Sequence, residues 1–169
     1  MDNSQNQVIE SYKDFWKRFV DINGRSDRPD FWHPFWINFV ITSLLGIVSA
    51  GFLSGLFALA IIIPTFTVMV RRLHDSNRTM LLAIVYHISG VIAGLFVAIF
   101  IVTFVFASNS GSGTLIGLAL ITGPIFMIIG VVIMLYTLYL LVAPGNREPN
   151  NYGSGGSTQI APQPQVNVE

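Results

Sequence analysis

The sequence lacks cysteine and is poor in charge, and both shortages narrow the class of protein. With no cysteine in 169 residues, disulfides, thiolate metal sites and a cysteine nucleophile are excluded. Charged residues make up 11% of the chain, against about 25% in a typical soluble domain. The nine basic and nine acidic residues balance, so no excess of positive charge favours a nucleic-acid partner.

Two long stretches carry no charge at all. They are Phe31–Val70, with 40 residues, and Thr79–Asn146, with 68 residues. Each is far longer than the roughly 18 to 20 apolar residues that cross a bilayer. Turn-forming residues divide the first at 49–55 and the second at 108–113. The sequence therefore predicts an all-α integral membrane protein with four transmembrane helices, near residues 35–51, 53–70, 80–106 and 116–141.

The distribution of positive charge predicts the orientation of these spans. Four spans place the N-terminal segment, the middle loop and the C-terminal segment on one side of the membrane. These three segments carry all nine basic residues: Lys13, Lys17, Arg18, Arg25, Arg28, Arg71, Arg72, Arg78 and Arg147. Because cytoplasmic flanks collect Lys and Arg, we expect both termini in the cytoplasm.

The chain divides into four segments by composition. Residues 1–33 form a cytoplasmic N-terminal segment, and 34–142 form the four-helix transmembrane domain. Residues 143–153 form a cytoplasmic turn segment, and 154–169, rich in Gly, Ser, Gln and Pro, are expected to be disordered. Between Val8 and Val20, apolar residues recur at steps of three and four, which predicts an amphipathic helix. This helix lies at the membrane interface or packs on the cytoplasmic ends of the spans.

The middle loop, Arg71–Arg78, carries the four charges nearest the centre of the sequence. His74 beside Asp75 is compatible with a catalytic pair, but adjacent residues do not face each other on a helix. The two residues are also too few to hold a metal ion. We favour an interfacial anchor, in which Arg71 and Arg72 bind lipid phosphates and Asp75 offsets their charge or caps the next helix.

His87 is the one titratable residue well inside a predicted span. Ionisable groups inside membranes are candidates for a transport path. The predicted spans contain no carboxylate to pair with His87. We therefore favour a neutral His87 hydrogen-bonded to a hydroxyl or carbonyl group over a proton-coupled site.

Three short motifs resemble one family of small bacterial inner-membrane proteins, catalogued as domain of unknown function 805. They are Gly24–Trp32, reading GRSDRPDFW, Arg71–Asp75, reading RRLHD, and Asn150–Gly153, reading NNYG. Their order and context match over about residues 12 to 153. Ser76 and Asn77 depart from the Thr-Gly that often follows the second motif. The resemblance implies a protein of the bacterial cytoplasmic membrane and implies no particular activity.

In the predicted topology all three motifs share the cytoplasmic face, so their side chains are expected to meet there. Five arginines (Arg25, Arg28, Arg71, Arg72 and Arg78) would face the acids Asp27, Asp30, Asp75 and Glu148. We expect a cytoplasmic ion-pair layer that includes His74 and closes the helix bundle, with room for a lipid phosphate.

Three functions remain open at this stage. The first, which we favour, is a non-enzymatic accessory protein that binds membrane lipids, anionic ones included, or another membrane protein. The second is a small oligomeric channel or carrier, suggested by His87. The third is an interfacial enzyme acting on lipid headgroups, suggested by His74 and Asp75. No catalytic residue, cofactor or metal site is predicted, and a homo-oligomer is compatible with the first two.

Overall fold

A computed structural model describes residues 3–111 and 113–154 as a helical protein with four long apolar helices. The described helices are α1 (Asn3–Lys17), α2 (Arg28–Ser49), α3 (Phe52–Asp75), α4 (Leu81–Ser110) and α5 (Gly113–Val142). No strand occurs among these residues beyond a single bridge between Asn150 and Gly153. In length and composition, α2, α3, α4 and the 123–142 part of α5 can each cross a membrane. The all-α, four-span fold class is confirmed, while 155–169 lie outside the described residues.

The chain separates into two compact units. One contains residues up to Met80 together with those from Leu141 onward, and the other contains Leu81–Leu140. The first unit therefore joins α1, α2 and α3 to the segment that follows the last span. The second unit consists of α4 and most of α5.

The first span begins seven residues earlier than predicted, at Arg28 rather than near residue 35. Asp27 is the N-cap, and the Asp30 carboxylate accepts a hydrogen bond of 3.0 Å from the Asp27 backbone N–H. This reciprocal cap satisfies backbone donors that the first helical turn leaves free. Pro29 suits the first turn, where no N–H is needed, and Pro34 lies inside α2.

A two-residue link joins α2 and α3 into an antiparallel hairpin. Ala50 (φ 50°) and Gly51 (φ 94°) both have left-handed backbone conformations. The Ala50 N–H donates to the Gly46 carbonyl, which closes the end of α2. The turn predicted at 49–55 is therefore real but much tighter than expected. The hairpin brings the start of α2 and the end of α3 to the same end of the unit.

The second span also runs further than predicted. We expected it to end near Val70 and Arg71–Arg78 to form a loop, but α3 continues to Asp75. The charged residues of the RRLHD motif are therefore helical and buried. Their side chains find partners inside the protein, which offsets part of the cost of burying charge. Ser76 caps the end of the helix and is followed by Asn77 in a left-handed conformation (φ 56°).

The predicted amphipathic helix α1 packs against α2 and α3. Phe15 is buried at 2% exposure. The Ser11 hydroxyl donates to Asp30 at 3.2 Å, and the Tyr12 hydroxyl donates to Asn38 at 3.2 Å. Of the two alternatives for this helix, packing on the spans is thus directly observed.

A second apolar strip of this N-terminal region remains uncovered. Ile9, Trp16, Phe19 and Val20 are between 37% and 64% exposed. Exposed aromatic and aliphatic side chains next to a span are typical of the membrane interface. Packing on α2 and α3 is therefore compatible with an interfacial position for the same helix.

In the second unit, α4 and α5 pack through aromatic side chains. The rings of Phe96 and Phe126 stack with centroids 3.7 Å apart. The Phe100 ring lies against Gly123, where a Cβ would approach it to 2.9 Å. Gly90 and Gly94, one turn apart in α4, have no heavy atom of another element within 4 Å of a built Cβ. They therefore make no close contact within the described chain.

A buried arginine–aspartate cluster at the ends of the spans

Asp75, the last residue of α3, is the centre of a buried ion-pair cluster in the first unit. Its Oδ1 accepts hydrogen bonds from Arg25 Nε at 3.0 Å and Arg25 Nη2 at 2.9 Å. Its Oδ2 accepts a 2.5 Å hydrogen bond from Arg72 Nη1, one helical turn earlier. All three side chains are at most 5% exposed. We call Arg25, Arg72 and Asp75 the Asp75 cluster.

The backbone that follows α5 completes the coordination of Arg25. This guanidinium donates to the carbonyls of Glu148 at 3.0 Å and Gly153 at 3.2 Å, and also to that of Asn146. The backbone N–H of Asn146 donates in turn to the Asp75 carbonyl at 2.8 Å. The three Arg25 contacts join residues more than 100 positions apart in the sequence. Arg25 therefore ties the C-terminal segment to the end of the α2–α3 hairpin.

Arg72 is held by the same segment. Its Nε donates to the Leu141 carbonyl at 3.1 Å, and its Nη2 donates to the Ala143 carbonyl. The last four carbonyls of a helix lack partners within that helix. Arg72 supplies a charged donor at the end of α5, where positive charge also suits the helix dipole.

Gly145 allows the C-terminal segment to pass directly over Asp75. A Cβ built at this position would overlap the Asp75 carboxylate. Any other residue would push the segment away from the cluster or displace the carboxylate. Glycine is therefore required here for close approach rather than for a special backbone angle.

Arg71 is fully buried but serves a different part of the unit. Its Nε donates to the Ser26 hydroxyl at 3.1 Å, and its Nη1 donates to the carbonyls of Arg18 at 3.0 Å and Asp21 at 2.5 Å. Its Nη2 lies 3.5 Å from the Asp14 carboxylate without a hydrogen bond. Arg71 thus holds the turn after α1 against α3.

The two acids near this turn have pKa values shifted in opposite directions. Partial burial raises the pKa of Asp14, although the neighbouring Arg18 and Arg71 oppose the shift. A hydrogen bond from the Asn23 N–H, followed by one from Arg18, lowers the pKa of Asp21. Hydrogen bonding to the charged form is the dominant cause at Asp21, and desolvation is the dominant cause at Asp14.

His74 is covered by the C-terminal segment. Its ring stacks on Tyr152, with centroids 3.7 Å apart and planes 4° from parallel. Its Nδ1 lies 3.2 Å from the Gly24 carbonyl, and its backbone carbonyl accepts a 2.9 Å hydrogen bond from the Asn150 side chain. His74, in the second motif, thus packs against residues of both the first and the third motif.

An open cleft lies on the outer side of the cluster. It has a volume of about 280 Å³. We call it the charged cleft, and its lining residues are Asp27, Arg28, Pro29, Asp75, Gly145, Asn146 and Arg147. Arg28 and Arg147 are exposed, and neither forms a hydrogen bond or ion pair within residues 3–111 and 113–154. The cleft therefore presents two guanidinium groups that the described fold does not use.

The structure brings together some of the predicted ion-pair layer and separates the rest. Arg25, Arg72 and Asp75 meet as expected. Arg71 instead faces Asp14 and the turn after α1, and Arg78 is exposed away from the cleft lining.

The expected role of Arg71 and Arg72 needs correction. We predicted that they bind lipid phosphates, but both are 0% exposed and their donors are directed at groups of the protein itself. The carbonyls after α5 are the partners that charge counting missed. Gly145, among turn-forming residues, was the available sign of a close approach.

His87, in α4, is partly buried. Its Nδ1 lies 2.9 Å from the carbonyl of Ala83, one turn earlier in the same helix. A hydrogen bond of this kind satisfies the ring nitrogen locally. Among the described residues, no group of three or more His, Asp or Glu side chains is arranged to hold a metal ion.

Comparison with known proteins places the motifs in a family. Residues 19–154 match the profile of a family described as protein of unknown function (DUF805). This range includes all three motifs. They lie at the end of the first unit that contains the Asp75 cluster and the charged cleft, which we call the charged end.

Curated relatives occur in Escherichia coli K12. The chain is similar to inner membrane protein YhaH, with 26% identity over 80 residues, covering 41% of this chain and 66% of YhaH. It is also similar to inner membrane protein YhaI, with 27% identity over 78 residues, covering 43% and 66%. The chain thus spans just under two thirds of the length of these relatives. No solved structure matches it.

Proposed function

We propose, from the premise that the chain belongs to the DUF805 family, that it is an accessory protein of the bacterial cytoplasmic membrane. In this proposal it binds membrane lipid at its charged end and catalyses no reaction. Two relatives, YhaH and YhaI, are inner membrane proteins, which supports the location. Four helices long enough to cross a bilayer support an integral protein.

The proposal rests on a difference among the arginines, since some bind groups of the protein and others are exposed. Arg25, Arg71 and Arg72 are buried, and their donors serve the protein itself. Arg28 and Arg147 line an open cleft and are exposed. Exposed guanidinium groups beside the ends of spans are placed where lipid headgroups lie.

The burial of His74 argues against the enzyme alternative. Its ring is covered by Tyr152, and the whole residue is only 7% exposed. A general base must reach the proton that it removes, directly or through one water molecule. Buried between a tyrosine ring and a backbone carbonyl, His74 is better suited to holding the C-terminal segment in place.

Lipid binding is tested by removing lipid and adding it back. The purified protein, exchanged into detergent until lipid-free, should show phospholipid adducts in native mass spectrometry when phospholipid is returned. Because a ligand that binds the folded state stabilises it, the unfolding temperature should rise with added lipid. Absence of both adducts and a thermal shift would contradict the proposal.

The proposed orientation places both termini in the cytoplasm, since all nine basic residues lie in the segments that flank this side. The absence of native cysteine allows single-site labelling. In whole cells, an impermeant maleimide should label Ser110→Cys, at the end of α4, and leave Ser76→Cys, after α3, unlabelled. The reverse pattern would invert the topology.

A further inference from the structure

We infer that the charged cleft binds the phosphate group of an anionic phospholipid, with Arg28 and Arg147 as its two donors. The inference rests on the proposed lipid-binding function and assigns it a site and a headgroup class. Phosphate binding, which the charge pattern alone assigned to Arg71 and Arg72, is here assigned to Arg28 and Arg147.

The two arginines are available and line the same cavity. Arg28 is the first residue of α2, and Arg147 lies in the segment after α5. Both line the cleft and are exposed, and neither pairs with another group in the described chain. Guanidinium groups bind phosphate oxygens through paired, charge-assisted hydrogen bonds. Arg28 and Arg147 can therefore both supply donors to an anion in this cavity.

The charge balance around the cleft favours an anion. Four cations and two anions stand in or directly behind its lining: Arg25, Arg28, Arg72, Arg147, Asp27 and Asp75. Both oxygens of Asp75 already accept hydrogen bonds from Arg25 and Arg72. The Asp27 side chain accepts from a backbone N–H of α2. Because the four arginines outnumber these two carboxylates, a local excess of positive charge remains, reduced by Asp30, whose carboxylate accepts from the Asp27 N–H.

The position of the cleft selects a lipid phosphate over a soluble one. Its walls come from the first turn of α2, the last residue of α3 and the segment just after α5. These are the ends of three spans, so the cavity opens where spans leave the hydrocarbon core. Phosphates of the bilayer are concentrated at this level. A headgroup can enter the cleft while its acyl chains remain beside the apolar helices.

The test compares binding of a short-chain phosphatidylglycerol to the full-length protein and its variants in detergent. Arg28→Ala combined with Arg147→Ala should weaken binding about tenfold or more, because two charges near the membrane surface are removed. Arg78→Ala is the matched control, since it removes an exposed arginine outside the cleft and should change binding little. Arg28→Lys with Arg147→Lys should retain part of the affinity, because charge remains without the paired donors.

The outcomes distinguish an error in the assigned binding site from an error in the proposed function. If wild type binds phosphatidylglycerol and the double alanine variant binds equally well, the cleft assignment is wrong and the lipid function stands. If wild type binds no phospholipid, the proposed function itself fails. An equal loss in Arg78→Ala would show general surface attraction and overturn the inference.

Two further titrations separate the sources of phosphate. Inorganic phosphate at the same concentrations should compete weakly, and tight competition would identify a soluble phosphate site instead. Phosphatidylcholine should bind less well than phosphatidylglycerol, because the cleft has excess positive charge. Unfolding temperatures without lipid should be the same for wild type and the double alanine variant, since neither side chain has a partner among the residues that the structure describes.

Discussion

Different kinds of contact stabilise the interior of each of the two units. The first unit buries Arg25, Arg71, Arg72 and Asp75, and its three arginines donate to backbone carbonyls far away in sequence. The second has no charged residue between Leu81 and Leu140. The hydroxyl groups of Ser89, Ser108 and Ser110 donate to carbonyls of their own helix.

This contrast separates two ways of stabilising membrane helices. In the second unit, aromatic stacking such as that of Phe96 and Phe126 provides contacts that tolerate small shifts. In the first unit, each buried guanidinium needs several acceptors in defined places. The charged end therefore specifies one arrangement of the chain, while the apolar pair depends on shape and on the surrounding lipid.

The largest expected effect comes from breaking the Asp75 cluster. Asp75→Asn leaves Arg25 and Arg72 buried without their counter-charge, and removal of one partner from a buried pair costs about 3–5 kcal/mol. The free energy of unfolding in detergent micelles should fall by this order. The control is Glu10→Gln, which breaks an exposed pair with Lys13 and should leave stability unchanged. Equal losses in the two variants would show that burial of the cluster adds nothing.

A pair of glycine substitutions compares the two units directly. Gly145→Ala forces a Cβ into the Asp75 carboxylate and should destabilise the protein by about 1–3 kcal/mol, as overpacking does. Gly130→Ala, in α5, has no heavy atom within 4 Å of the new Cβ. It should be neutral or stabilise by up to about 1 kcal/mol, since alanine favours helix. Thermal unfolding of both variants measures the difference, and a harmless Gly145→Ala would remove the close-approach argument.

The smallest effects should appear in the pH dependence of the turn after α1. The pKa of Asp21 is lowered from 3.8 on folding, so its carboxylate stabilises the fold above pH 3.8. That contribution disappears as the pH falls through the folded pKa. The pKa of Asp14 is raised from 3.8, so its contribution to stability decreases as the pH rises from 3.8 through the folded pKa.

Asparagine variants at these two positions should therefore behave oppositely. Asp21→Asn should lower the unfolding temperature slightly at pH 7 and match wild type at the most acidic pH. Asp14→Asn should gain relative to wild type as the pH rises from 3.8. Unfolding temperatures between pH 3 and 7 measure both trends. Parallel curves for the two variants would contradict the assigned causes of the pKa shifts.

The sequence predicted the fold class because membrane spans depend on apolar length, which is a local property. The boundaries were less accurate where polar residues continue a helix. Asp27 and Asp30 form a cap that extends α2 before its apolar part. The segment from Arg71 to Asp75 remains helical because its charged side chains pair with groups elsewhere in the fold. Neither effect can be read from hydropathy.

The candidate site was predicted in composition and only partly in arrangement. The pairing of Arg25 and Arg72 with Asp75 follows from opposite charges on one face of the membrane. The stacking of Tyr152 on His74 and the carbonyl acceptors after α5 depend on where the C-terminal segment crosses the hairpin. That path depends on a steric gap at Gly145, and charge counting contains no information about it.

The hydrogen bonds of Arg25 impose an order on assembly during synthesis. Arg25 is made early and meets Asp75 fifty residues later, but its acceptor Glu148 follows only after another 73 residues. At about 5–20 residues per second, that interval lasts roughly 4–15 s. Until residues 146–153 have been made, the C-terminal carbonyls that Arg25 binds do not exist. The hydrogen bonds around Arg25 can therefore be completed only after all four spans have been synthesised.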